Sequence, residues 1–85
     1  MNMKINFPGG KKVNVDYNGF TLYPEPMAEG GQYRVAGRIT KEVDGQLREH
    51  RFIRSDMCTS AEQANELMLQ KSRQFIDQMG EGIFS

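Results

Sequence analysis

Residues 32–55 read QYRVAGRITKEVDGQLREHRFIRS, and this stretch decides the fold. The first half alternates between two sets of side chains, Tyr33, Val35, Gly37 and Ile39 on one face and Arg34, Ala36, Arg38 and Thr40 on the other. A period of two is typical of a half-buried β-strand. Asp44-Gly45 follows, and a type I′ turn requires the positive φ that Asp tolerates and Gly prefers. The stretch therefore predicts a central antiparallel hairpin over about residues 32–55.

The register of this hairpin has two solutions at the level of the sequence. A two-residue loop sets Phe52 opposite Gly37, whereas a three-residue loop with a bulge sets Val35 opposite Ile53. A slip of one residue would exchange the buried and exposed faces of the returning strand. The pattern alone does not choose between the two registers.

Upstream of the central hairpin, residues 4–17 alternate around the turn signal Pro8-Gly9-Gly10-Lys11, which predicts an N-terminal hairpin. Asn18-Gly19 predicts a second turn, and residues 20–23 alternate again. This run ends at Pro24 and Pro26 because proline cannot donate a hydrogen bond to a strand ladder. We expect an edge strand or a strand end at this position.

Downstream, the period changes at residues 59–63, where Thr59 with Glu62, or Ser60 with Gln63, matches a capping box. A helix over about residues 60–79 should follow. At 100° per residue its core stripe contains Ala61, Ala64, Met68, Ser72, Phe75 and Met79, flanked by Leu69 and Ile76. Gly80 is a natural stop, beyond which Ile83-Phe84 could fold back onto the core. The predicted class is α+β: an antiparallel sheet of three to five strands covered on one face by a single C-terminal helix, in one domain spanning residues 1–85.

Composition excludes several classes of protein. Eleven basic and eleven acidic residues cancel, so the whole chain makes no strong field toward nucleic acid or anionic lipid. We find neither a membrane-length apolar run nor a secretory signal, which favours a cytoplasmic protein with no membrane partner. One cysteine and one histidine do not form a disulfide or a zinc cluster, and we expect no metal and no cofactor.

Three segments resemble the small bacterial HlyU-type family, namely YNGF at residues 17–20, AEGGQYRVAGRI at 28–39 and HRFIRSD at 50–56. In that family the segments YxGF, EGGQ(Y/F)RVAGRI and HRFIRAD occur in the same order, before an amphipathic helix. Ser55 stands where the family usually has alanine. The resemblance covers roughly residues 17–84. It implies a transcriptional regulator, and the family is named for transcriptional activation.

A basic cluster on the central hairpin is the candidate site for contact with DNA or with an acidic protein partner. The candidates are Arg34, Arg38, Arg48, Arg51 and Arg54, with Lys41 nearby. The guanidinium group of arginine can form paired hydrogen bonds with a phosphate or a carboxylate. A two-stranded β-ribbon can also enter the major groove of DNA. The alternative, which we favour, is a solvated sheet face on which some arginines pair across strands with Glu42 or Glu49 and others lie along Tyr or Phe rings.

Other residues that could act in catalysis, redox chemistry or phosphate binding are better explained by structural roles. His50 has no recognisable nucleophile or acid partner, so we predict no catalytic site and no enzyme. Cys58 precedes a helix start, yet a free cysteine is usually a small buried filler. Glu29-Gly30-Gly31 lacks the Lys-Ser/Thr of a phosphate loop and predicts a turn. Two functional hypotheses follow: a transcriptional regulator that touches DNA through the basic hairpin, and a protein-binding or adaptor module with no direct DNA contact.

Overall fold

The computed structural model describes residues 14–85, which form a five-stranded antiparallel sheet and one α-helix. This confirms the predicted α+β class. The elements in chain order are β1 (Val15–Tyr17), β2 (Phe20–Pro24), β3 (Met27–Glu29), β4 (Gln32–Val43), β5 (Gln46–Cys58), α1 (Ala61–Met79) and a final 3₁₀ helix (Gly80–Phe84). The predicted turn at residues 8–11 and the start of the predicted N-terminal hairpin lie outside the described residues. No helix in residues 14–85 is long and apolar enough to cross a membrane.

Strand β4 is the centre of the sheet. One of its edges pairs with β5, and the other pairs with β2 and β3, which lie end to end along it. Pro24 ends β2 opposite Gly37, and Pro26 precedes β3, so the prolines interrupt what would otherwise be one strand. This confirms the predicted strand end. Strand β1 pairs only with β2, and β3 pairs only with β4, so among the described strands β1, β3 and β5 are edge strands.

Two-residue turns join three pairs of strands. The turn residues are Asn18-Gly19, Gly30-Gly31 and Asp44-Gly45, and all of them have positive φ, between 51° and 85°. Positive φ at both central positions is the requirement of a type I′ turn, whose twist matches that of the flanking strands. The Gly30-Gly31 turn was predicted, but the short strand β3 before it was not.

The two-residue loop at Asp44-Gly45 decides the register of the central hairpin. Val43 lies opposite Gln46, and Phe52 lies opposite Gly37, as the first of the two predicted registers requires. The ladder is regular from this turn to the Ala36–Ile53 pair and shifts between Arg34 and Ala36. Phe52 consequently faces the same side of the sheet as Gly37, Val35 and Ile39.

The core lies between this face of the sheet and α1. The fully buried side chains are Leu22, Val35, Ile39, Met68 and Ser72. Gly37 is needed here because a Cβ at this position would meet the backbone of Tyr23 and lie 2.6 Å from Cε of Met68. Absence of a side chain at Gly37 therefore lets α1 approach β4.

The helix begins and ends at predicted residues, but its core stripe differs at the C-terminal end. Ser60 caps α1, since its Oγ accepts from the backbone N–H of Gln63 at 3.1 Å. Met79 was predicted in the stripe and is instead 50% exposed, whereas Ile76, predicted only as a flank, is buried. The chain turns at Gly80, so buried Ile83 occupies the core beyond α1. Phe84 stacks on Phe20 with 6.0 Å between ring centroids, which confirms the predicted fold-back.

Candidate interaction surfaces

The five candidate arginines divide between the two faces of the sheet. Cross-strand partners in an antiparallel ladder project to the same side. Arg38 lies opposite Arg51, so both project from the face away from α1, together with Arg34. We call this face the open face, because no second layer covers it in residues 14–85. Its members on the central hairpin are Arg34, Ala36, Arg38, Thr40 and Glu42 of β4 and Leu47, Glu49, Arg51, Ile53 and Met57 of β5.

Arg34 is held by Glu29 across the turn between β3 and β4. Its Nε donates to Oε2 of Glu29 at 2.7 Å, and one terminal nitrogen donates to Oε1 at 2.8 Å. The other terminal nitrogen donates to the backbone carbonyl of Arg54 at 3.1 Å. The hydrogen bonds and charge of Arg34 hold the pKa of Glu29 below its ordinary value. All three nitrogens of this guanidinium are therefore engaged inside the molecule.

Arg38 is also engaged within the molecule. Its Nε donates to Oε2 of Glu25 at 3.0 Å, and its Nη1 lies 3.7 Å from Oε1 of Glu49. The guanidinium lies over the ring of Tyr23, 4.5 Å from its centroid, in a cation–π contact. Sequence reasoning named Glu49 as a possible partner and expected some arginines to lie along Tyr or Phe rings, but it missed Glu25.

Arg51 is the one candidate on the open face that makes no ion pair within residues 14–85. It is exposed and lies opposite Arg38 on the neighbouring strand. Glu42, the other acid that sequence reasoning offered as a partner, makes no ion pair among the described residues. Among residues 14–85, the open face thus carries a single arginine with no ion pair to a carboxylate.

Arg48 and Arg54 project to the side of the sheet that α1 covers. Arg48 lies opposite Lys41, whose Nζ is 2.8 Å from Oε2 of Glu81 in the 3₁₀ helix. The Nε of Arg54 donates to Oδ1 of Asp56 at 2.7 Å. These two arginines cannot join Arg34, Arg38 and Arg51 in one contact surface, because the sheet separates them.

A groove separates α1 from the edge strand β5. We call it the α1–β5 groove, and its lining residues are Phe52, Arg54, Lys71, Gln74, Phe75 and Gln78. Its volume is about 300 Å³, at the lower end of the range for ligand cavities. Phe52 and Phe75 are in contact, with 6.0 Å between their ring centroids. The groove therefore combines an aromatic floor with two cationic side chains.

The remaining candidates occupy structural positions. His50 lies 5.2 Å from the ring of Phe75 and 6.4 Å from that of Phe52, behind the groove. Cys58 is half-buried and packs against the core, as its predicted role as a filler requires. Tyr17 donates to Oδ1 of Asp77 at 2.8 Å, and this hydrogen bond raises the pKa of the phenol. Residues 14–85 bring together no group of three or more potential metal ligands.

The comparison with known protein families assigns the chain to one family. The family model described as "Transcriptional activator HlyU" matches residues 5–84. The matched residues include every strand and helix described above, and they extend the resemblance seen over roughly residues 17–84 toward the N-terminus. No curated protein and no solved structure matched the chain. This chain is a member of the HlyU family of transcriptional activators.

Proposed function

We propose that this chain regulates transcription in the cytoplasm by binding another protein, without itself reading DNA. Membership of the HlyU family supports the regulatory part of the proposal. The proposed activity is binding and involves no catalysis. The engagement of the arginines within the molecule is the observation that carries the choice of a protein partner.

A protein that binds DNA presents arginine and lysine side chains that are free to replace the counterions of the phosphates. On the open face, Glu29 neutralises Arg34, while Glu25 and Glu49 neutralise Arg38. A phosphate approaching these arginines would meet three carboxylates in the same place. Arg51 alone would supply a weak electrostatic contact, and the net charge of the whole chain is zero.

The helix gives no second route to DNA. Helix-turn-helix proteins place a recognition helix in the major groove, with another helix across the backbone. In residues 14–85, α1 is the only α-helix, and one of its faces is buried against the sheet through Ala64, Met68 and Ile76. Its exposed face carries both signs of charge, with Glu62 and Glu66 in its first two turns.

The experiment is to delete the gene, profile the transcripts, and complement the deletion with wild-type and variant chains. We expect the deletion to change a set of transcripts, and the double variant Arg38→Gln/Arg51→Gln to restore them as the wild type does. An immunoblot checks that both chains accumulate equally. An unchanged transcript profile on deletion would refute a regulatory function. Failure of the double variant alone, at equal protein level, would favour direct contact with DNA.

A further inference from the structure

We propose that the α1–β5 groove binds an extended acidic segment of a partner protein, which adds to the sheet as a strand beside β5. The inference deepens the proposed function and rests on it only for the class of partner, a protein rather than DNA. An apolar side chain of the segment would contact Phe52 and Phe75, and a neighbouring carboxylate would contact Arg54 or Lys71. This site lies on the opposite side of the sheet from the open face.

The first support is the free backbone edge of β5. This strand spans 13 residues and pairs with β4 along one edge, and no strand of residues 14–85 pairs with its other edge. An unpaired edge presents a row of backbone N–H and C=O groups that an extended peptide can pair with. The other edge strands, β1 and β3, have only three residues each within the described part of the chain. Strand β5 therefore offers the longer template.

The second support is the aromatic floor beside that edge. Phe52 projects from β5 and is only 8% exposed, while Phe75 projects from α1 and is half-buried. The ring of His50 lies 5.2 Å from that of Phe75 and 6.4 Å from that of Phe52, so the two phenylalanine rings are held by a third ring. Rings held in this way give an apolar side chain a defined place, at little cost in lost side-chain freedom.

The third support is the charge of the groove. Arg54 and Lys71 line it, and none of its lining residues is acidic. Lys71 makes no ion pair within residues 14–85, and Arg54 contacts Asp56 through Nε alone. Both side chains can therefore form an ion pair with a carboxylate of the partner segment, whereas a basic peptide would be repelled.

The spacing of these groups specifies the partner. Phe52 and Arg54 are two residues apart on β5, so they project to the same side. A strand added beside β5 would also send alternate side chains to this side. We therefore expect an apolar residue and an acidic residue separated by one position in the bound segment.

The test uses a phage-displayed library of random peptides, panned against the full chain. We expect the enriched peptides to combine an apolar residue with Asp or Glu two positions away. A synthetic peptide of the enriched sequence should bind Lys71→Glu roughly tenfold more weakly than the wild type, the effect of about 1.4 kcal/mol of lost attraction. Arg73→Glu makes the same change of charge on α1 beside Tyr17, away from the groove, and should bind the peptide as the wild type does.

Backbone pairing is tested with two further versions of that peptide, N-methylated at alternate positions in one register or in the other. Only one set of alternate N–H groups faces β5, so one version should lose binding and the other should keep it. Absence of enriched peptides, enrichment of basic peptides, or equal effects of Lys71→Glu and Arg73→Glu would overturn the proposal. Equal binding of the two N-methylated versions would also overturn it. Peptide binding without any transcript change on deletion would refute the regulatory function and leave the groove site standing.

Discussion

Glu29 accepts two hydrogen bonds from Arg34, to Oε2 from Nε at 2.7 Å and to Oε1 from a terminal nitrogen at 2.8 Å. The two residues lie on either side of the Gly30-Gly31 turn, so a local hairpin places the carboxylate against the guanidinium. Such a two-pronged contact fixes the orientation of both groups. Arg34, which lies in the family-resembling segment 28–39, is therefore part of the fold.

The Arg34–Glu29 pair predicts a dependence of stability on acid pH. Arg34 lowers the pKa of Glu29 from its ordinary value of 4.5. Because the folded-state pKa is the lower one, the ionised carboxylate stabilises the fold above about pH 4.5, and this contribution is lost as the pH falls through the folded-state pKa. In urea unfolding across an acid pH series, the free energy of unfolding should fall less for Glu29→Gln than for the wild type as the pH decreases. If the free energies of unfolding of the two chains changed in parallel with pH, the Arg34–Glu29 pair would contribute nothing to stability.

Gly37→Ala should destabilise the fold by about 1–3 kcal/mol, the usual effect of overpacking. The new methyl group would meet the backbone of Tyr23 and Cε of Met68, and the backbone cannot move away without disturbing the pairing of β2 with β4. The matched control is Gly82→Ala, where a Cβ would meet Met79 at an ordinary 3.7 Å. Thermal melts of the two variants should differ clearly, and equal melts would contradict the close approach of α1 to β4.

Met68→Ala should reduce the free energy of unfolding by about 2–5 kcal/mol, because it leaves a cavity between α1 and the sheet. Met68 is fully buried, and its sulfur accepts a 3.5 Å hydrogen bond from Oγ of Ser72. Gln70→Ala changes an exposed residue of the same helix and should be nearly neutral. Denaturant unfolding measures both variants. A loss below about 0.5 kcal/mol for Met68→Ala, which is typical of a surface substitution, would contradict the core assignment.

Ser60→Ala should reduce the free energy of unfolding by about 1 kcal/mol, because α1 loses the side chain that caps its first turn. Gln63 would keep its contact with Oγ1 of Thr59 at 2.8 Å, so part of the N-terminal structure should survive. Ser55→Ala removes the hydroxyl of an exposed residue on β5 and serves as the control. Urea midpoints at neutral pH should separate the two variants. If Ser55→Ala destabilised the fold as much as Ser60→Ala, the cap would not be the cause.

The central hairpin and the helix were predictable because local chemistry determines them. Asp44-Gly45 admits a two-residue turn, and that turn sets every pair of the ladder as far as Ala36 and Ile53. Met79 was misplaced because a uniform helical period was extended up to Gly80, where the chain turns and brings Ile83 into the core. The helical period describes α1 well and carries no information on the path of the chain beyond Gly80.

The distribution of the arginines was not predictable to the same extent. Placing Arg48 and Arg54 on the helix side required the register, which the sequence left open. Two of the partners, Glu29 for Arg34 and Glu25 for Arg38, lie on β3 and in the segment before it, and this strand is too short to show a period. The Gly30-Gly31 pair was the available signal, since it matches the chemistry of the other two hairpin turns.

The most direct measurement of the central claim is a salt series of binding between the purified chain and duplex DNA. Random-sequence DNA and fragments from the genes that respond to deletion are compared. We predict binding no tighter than the non-specific range, about 10⁻⁴ to 10⁻⁶ M at physiological salt. Sequence-selective nanomolar binding would contradict the claim. The contradiction would be complete if Arg38→Gln and Arg51→Gln each lowered the slope of log affinity against log salt by roughly 0.9 and the double variant abolished the binding.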